Sequence, residues 1–222
     1  MRYYPVYLDL RGRRCIVIGG GSVAEGKVKG LLEADARVTV VSPQLTPQLK
    51  KLLDDGHIVH VARSYQPGDL AGVFLVISAT DNRSVNEQVW QEATERNITS
   101  AGLSAGLVNV VDDPTHCTFI APSIVRRGDL AIAISTCGKA PALAVRLRQQ
   151  LERTIGHEHA RFLELAGGLR APIAARYPDF EQRKALWYQL VDSDVLDLLR
   201  QRDEVAARRR IVEITGIVDI GD

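Results

Sequence analysis

No apolar run in this 222-residue chain approaches the roughly 20 residues of a membrane-spanning helix. The first stretch, MRYYPVYLDLRGRR, lacks the apolar core of a secretory signal and carries Pro5 and Asp9. Cysteine is scarce: Cys15, Cys117 and Cys137 are odd in number and far apart, which suits neither a disulfide framework nor a zinc site. His57, His60, His116, His157 and His159 show no metal-ligand spacing with other ligands, so no metal site is expected. Charge of one sign is also missing, with a formal net of +1, and nothing points to a nucleic-acid or membrane surface. Repeats and low-complexity tails are absent. These absences lead us to expect a soluble, reduced, cytoplasmic protein.

What the chain does have is concentrated at residues 15–27, CIVIGGGSVAEGK. Four apolar residues stop at three glycines, as in a strand buried on both faces. Apolar residues then fall at Val23, Ala24, Val28, Leu31 and Leu32, one face of a helix over 22–34. Gly19, Gly21 and Ala24 fit G-x-G-x-x-A, the dinucleotide fingerprint. The first glycine makes a tight turn and the second lets backbone approach a pyrophosphate. Free N–H groups at the helix start face the phosphates. The alternative is a plain tight turn. Gly26 and Gly30, inside the helix, are expected to permit close packing, since each costs about 1 kcal/mol in helix propensity.

Further strands are expected at 37–41, 57–61, 73–78 and 107–111. Thr46 and Pro47 open a helix through Asp55. Ser84 and Glu87 form a capping box for another, ending near Asn97. The alternation implies an α/β fold with a Rossmann-like, doubly wound parallel sheet. After Pro114 the pattern changes to two strand-like runs, 118–125 and 130–135, around an Arg126–Asp129 turn, then a helix over 140–151. From Gly156 it is helical, with Pro172 and Pro178 as breakers. Domain limits follow: 1–117 for dinucleotide binding, 118–153 as a small α+β domain, and 154–222 as a helical domain.

Ligands of such sheets bind at the carboxyl ends of the strands. The second strand ends in Ser42-Pro43-Gln44, with neither the usual ribose-binding acid nor an arginine for a 2′-phosphate, so the adenosine end falls to backbone and Ser42. The fourth ends in Ser78-Ala79-Thr80-Asp81-Asn82, which either lines the cleft or caps the next helix. The fifth ends in Asp112-Asp113-Pro114. Asp112 is a candidate general base tuned by partial burial; alternatively, both aspartates only cap a turn.

CIVIGGGSVAEGKVKGLLEADARVTVVSP, ISATDNRSVN and NVVDDPTHCTFIAPSIVRRGDLAIAISTCGKAPALAVRLR together resemble the precorrin-2 dehydrogenase/sirohydrochlorin ferrochelatase family, the N-terminal module of siroheme synthases. The resemblance implies NAD-dependent oxidation of precorrin-2 to sirohydrochlorin and, in many members, insertion of ferrous iron. It implies a homodimer acting on a tetrapyrrole, with residues 118–153 as its dimerisation domain and ferrous or cobaltous ion as a further substrate. Asp112 matches the family's catalytic aspartate, and Ser22, Val23, Pro43 and Gln44 match its cofactor contacts. Gly19, Gly21, Ser42 and Thr80 complete the expected NAD site. The substrate's carboxylates call for cations, with Arg126, Arg127, Lys139 and Arg146 as candidates. The small-residue segment 99–106 reads as a mobile insertion near the cleft. Two rivals share the fingerprint. A non-catalytic nucleotide-sensing domain would keep the ribose carboxylate, and an enzyme for small 2-hydroxy acids would show a His–Asp pair or an arginine clamp.

Overall fold

The computed structural model describes residues 3–99 and 106–218, so the expectation for segment 99–106 falls largely outside the described residues. The chain forms two compact units, Met1–Ala121 and Pro122–Asp222.

The first unit is built on five parallel strands in the order β3-β2-β1-β4-β5. They are β1 (Arg14–Ile18), β2 (Arg37–Val41), β3 (Ile58–Val61), β4 (Leu75–Ser78) and β5 (Leu107–Val110). Period-2 alternation sends Cys15 and Val17 to one face and Ile16 and Ile18 to the other, and all four are buried. On the first face, α1 (Ser22–Leu32) and α2 (Pro47–Asp54) cover Val17, Val38, Val40 and Ile77 with Ala24, Val28, Leu31 and Leu49. On the second, α3 (Arg83–Thr99) buries Val89 and Ala93 against Ile16, Val76, Val108 and Val110. No helix joins β3 to β4. Residues 62–74 instead fold over the sheet, and the Glu92 carboxylate accepts from the Tyr65 hydroxyl and from the N–H groups of Gly68 and Leu70.

Three local expectations need correction. Gly26 and Gly30 do not serve close packing: both are exposed, and a Cβ on either meets no atom within 4 Å. They lie on the side of α1 opposite Ala24, Val28 and Leu31. The start of α3 is capped by Asn82, not by a Ser84–Glu87 box. Asn82 Oδ1 accepts from the N–H groups of Ser84 and Val85 because the helix begins two residues earlier than that box requires, at Arg83. Residues 118–121 do not join the later hairpin. Cys117 and Thr118 return antiparallel along the outer edge of β5, with an Asn109–Cys117 bridge and Thr118 N–H donating to Val108 C=O at 2.9 Å.

The second unit opens with an antiparallel hairpin, β6 (Ser123–Arg127) and β7 (Leu130–Ile134), turned at Gly128 with φ +54°. Then come α4 (Pro141–Thr154), α5 (His157–Arg176), α6 (Phe180–Val191), α7 (Val195–Arg200) and α8 (Glu204–Thr215). Arg127 ties the hairpin to the end of α4, donating to the carbonyls of Ile155 and Glu152, both at 2.9 Å. Phe162, Leu165, Leu169 and Ile173 of α5 share a core with Leu190, Val195, Leu199 and Ile211. That burial explains why Pro172 does not break α5 as expected. Leu169 and Ile173 hold the helix on both sides of it, and Gly167-Gly168 precede it where a proline ring crowds the backbone.

Candidate active site

Register brings the functional loops together. Ile18 pairs with Val41 and with Ser78, and Ser78 with Val110, so four strands end at one level. The β1–α1 turn, Ser42–Gln44, Ala79–Thr80 and the Asp112 turn therefore lie along one edge of one sheet.

The glycine turn is shaped by what each residue touches. Gly19 adopts φ +115°, and a Cβ there would lie 2.3 Å from the Ala79 carbonyl oxygen. Gly20, a position the fingerprint leaves open, is the most confined: its Cβ would sit 2.0 Å from Gln44 O. Thr46 N–H donates to Gly20 C=O at 3.0 Å, so the turn and the β2–α2 loop form one seam. A Cβ on Gly21, in contrast, meets nothing within 4 Å. The first bond of α1 is Glu25 N–H to Gly21 C=O at 3.2 Å, so the N–H groups of Ser22, Val23 and Ala24 precede the hydrogen-bonded helix. Ser22 and Val23 are exposed there. Open space in front of free N–H groups at a helix start fits a pyrophosphate.

Ser42 is buried, and its hydroxyl donates to Gln44 C=O at 2.7 Å while Pro43 and Gln44 are exposed. Ser42 C=O in turn contacts His60 Nε2 at 2.8 Å. His60 thus fixes this loop from β3, a role that sequence spacing gave no signal for. Arg63, which follows β3, is engaged by Asp69 at 2.6 Å, and that contact holds the Asp69 carboxyl below its ordinary range. Thr80 is half-buried. Its hydroxyl accepts from Asn82 N–H at 3.3 Å and its carbonyl from Asn86 Nδ2 at 3.2 Å. Of the two things weighed for the run after β4, the cap is present at Asn82, while Thr80 lies at the end of β4 on the same sheet edge as the glycine turn.

Asp112 is exposed rather than partly buried, at φ +61° in the turn closed by Asp113 N–H on Val110 C=O at 3.2 Å. Aspartate is among the few L residues that visit this left-handed region. Asp113 is a structural neighbour: its carboxylate accepts from the N–H and hydroxyl of Thr115 and faces His116 Nδ1 at 2.6 Å. The Thr115 hydroxyl bond, then His116, holds the Asp113 carboxyl below its ordinary value. Below the turn, the Cys117 thiol donates to the carbonyls of Val110 and Asp113, both at 3.2 Å, and burial pushes its pKa up. Asn109, also buried, donates to Cys117 Sγ and to Phe119 C=O. Among the described residues, no group of three or more His, Cys, Asp or Glu side chains is arranged to hold a metal ion.

Known proteins resemble nearly the whole chain. A family described as "Putative NAD(P)-binding" matches residues 6–123, more than half of the chain. The sirohaem biosynthesis protein central region matches 127–154 and the sirohaem synthase dimerisation region matches 158–214. The chain belongs to the family of siroheme synthase N-terminal modules. Siroheme synthase of Photobacterium profundum is 37% identical over 215 residues, 97% of this chain and 44% of the relative. Siroheme synthase 1 of Aeromonas salmonicida is 40% identical over 213 residues, 96% of this chain and 44% of the relative. The chain thus spans less than half the length of these relatives. A solved structure described as SirC, precorrin-2 dehydrogenase, superposes with TM-score 0.73 at 25% identity, covering 95% of this chain and all of that one. Within the family's division, residues 118–153 coincide largely with the central region, and the dimerisation region falls on the helices beyond them.

Proposed function

We propose that the chain oxidises precorrin-2 to sirohydrochlorin with NAD as acceptor, in the cytoplasm and as a homodimer. The observation that carries this reading is the match to a precorrin-2 dehydrogenase over that protein's whole length. The open Gly21 cradle and the exposed Asp112 carboxylate on the same sheet edge support it. NAD, when bound, supplies the hydride acceptor. Ser22 and Val23 hold the pyrophosphate by backbone N–H groups, with Gly19 and Gly21 leaving room for it. Ser42, Pro43 and Gln44 border the adenosine end, where the β2–α2 loop carries no arginine for a 2′-phosphate, so NADP binds more weakly. Thr80 borders the nicotinamide end.

Asp112 is the general base. Oxidation of the reduced tetrapyrrole sends a hydride to the acceptor and one proton to this carboxylate. When ferrous iron is the second substrate, the same carboxylate accepts protons released from the pyrrole nitrogens. Asp112→Asn keeps the shape and removes the base. A positioned base is worth roughly 10²–10⁴-fold, so anaerobic turnover of precorrin-2, followed by NADH absorbance, should fall by that factor with NAD affinity unchanged. Full-speed turnover by this variant would remove Asp112 from the role. A nucleotide-sensing domain would bind NAD and reduce none in the wild type.

The homodimer reading rests on the family's dimerisation region and on apolar side chains left exposed in the same unit. Ile124, Leu143, Val145 and Leu147 are each more than a third exposed. Among the described residues, no helix is long and apolar enough to cross a membrane.

A further inference from the structure

The turn that presents Asp112 is fastened from outside by side chains that the reading above leaves without a task. His116, on the 3₁₀ turn Pro114–His116, stands between two carboxylates. Its Nδ1 lies 2.6 Å from Asp113 Oδ2, on its own turn, and its Nε2 lies 3.2 Å from Glu87 Oε2, on α3. Trp90, three residues beyond Glu87 on the same helix face, meets the imidazole edge to face at 5.4 Å between centroids. The Thr115 hydroxyl approaches Nδ1 at 3.4 Å. Asp113 and Glu87 are the charged groups that face the ring.

The neighbour of Glu87 on α3 is Asn86, which donates to Thr80 C=O and bonds the Ser78 hydroxyl at 2.7 Å. One turn of α3 thus grips the end of β4 through Asn86 and the end of β5 through Glu87 and His116. Those ends are neighbours in the sheet, joined by Val111 N–H to Ser78 C=O at 2.9 Å, and the Asp112 turn follows directly. Asp112 itself sits at φ +61°, a left-handed conformation that aspartate visits more readily than most residues with a side chain and that a fastened turn stabilises. A neutral imidazole has one N–H and one lone pair, so it satisfies one of two carboxylates. The charged ring donates to both.

We propose that His116 is a positioning residue: bridging Asp113 and Glu87, it locks the left-handed turn to α3 and thereby aims the Asp112 carboxylate at the cofactor cleft. The proposal rests on the reading of Asp112 as the base. The lock has two links, one from each ring nitrogen: Nδ1 to the turn at Asp113 and Nε2 to α3 at Glu87.

The test compares His116→Leu, Glu87→Gln and Asp112→Asn in the full chain. Each is measured for kcat and KM with precorrin-2 and for NAD affinity by fluorescence. Misplacement of a catalytic group by about 1 Å costs up to roughly 10²-fold. His116→Leu should lower kcat by about 10- to 100-fold and leave KM and NAD affinity within about twofold. Glu87→Gln keeps the shape of the α3 link and weakens it, so its kcat should fall less than that of His116→Leu, again with KM unchanged. If His116→Leu turns over within twofold of wild type while Asp112→Asn is impaired, the positioning role is overturned and the base stands. If Asp112→Asn turns over at full speed, the base reading has failed and the proposal with it. If His116→Leu does not fold, Glu87→Gln decides, and a kcat equal to wild type overturns the proposal.

Discussion

Two adjacent glycines in one turn should respond to a side chain in opposite ways. Gly21 has φ −88° and ψ −174°, a backbone that valine adopts freely, and its Cβ would meet no atom within 4 Å. Gly21→Val should therefore cost less than about 1 kcal/mol, the scale of an N-cap change. The new side chain occupies the space in front of the free N–H groups, where a pyrophosphate would sit. Wild type at 100 times the dissociation constant of NAD gains about 2.7 kcal/mol. At roughly 2–4 °C per kcal/mol for a chain of this size, that is a rise of about 5–10 °C in melting temperature. The variant should show almost none of this rise. Gly20→Ala should do the reverse. Its methyl would begin 2.0 Å from Gln44 O, so that carbonyl must retreat by about 1 Å to reach 3.0 Å. Two hydrogen bonds cross or brace this seam, Thr46 N–H to Gly20 C=O and Ser42 Oγ to Gln44 C=O. At about 1 kcal/mol each, and with overpacking of about 1–3 kcal/mol, the loss is roughly 3–5 kcal/mol. Calorimetric melts with and without NAD measure both variants. A Gly21→Val protein that NAD still stabilises by the wild-type amount would refute the placement of the phosphates. A Gly20→Ala protein as stable as wild type would refute the seam.

Other outcomes are as direct. Gly30→Ala adds a methyl to an exposed helix position with free space, so it should stabilise by about 1 kcal/mol; a loss of stability on thermal melting would mean that this face is covered in solution. The Glu204 carboxyl is held down at about 2 from 4.5 by the hydrogen bond from Arg161 and then that from Arg208. Its contribution is therefore complete above about 4.5 and is lost as pH falls through about 2. With 42% of the side chain exposed, screening limits it to about 0.5–1 kcal/mol, and Glu204→Gln should flatten that part of the acid limb in urea titrations from pH 5 to 2. Leu143→Glu with Leu147→Glu places two charges on one exposed face of α4 and should shift sedimentation from dimer to monomer at micromolar concentration; an unchanged dimer would move the interface elsewhere.

Much of this was legible in sequence where one residue type admits one conformation. The three glycines after Cys15–Ile18 mark the tight turn out of β1, and Thr46-Pro47 mark the cap of α2, whose Thr46 hydroxyl accepts from Leu49 N–H. β2 appears at the expected residues, Arg37–Val41. What escaped depends on neighbours far apart in the chain. The confinement of Gly20 comes from Gln44, the Ser42 loop is fixed by His60, and His116 finds Glu87 across 29 positions, where no periodicity reports contact. Local competition misled as well. Asn82 and Ser84 are both good caps, and only the start of α3 chooses between them. Pro172 reads as a breaker because the sequence does not show that both flanks of its helix are buried.

The return of residues 117–118 along β5 has a consequence for how this protein associates. An outermost strand with free N–H and C=O groups is a template on which another chain can add a strand. Here the Asn109–Cys117 bridge, the Thr118 N–H bond to Val108 C=O and the Thr118 hydroxyl accepting from Val108 N–H occupy that template from within. Growth of the sheet from this end is closed off. Among the described strands of this sheet, only β3, with Val59 60% exposed, keeps an outer edge open. Edge-to-edge growth of this five-stranded sheet would have to begin at β3, on the side remote from Asp112.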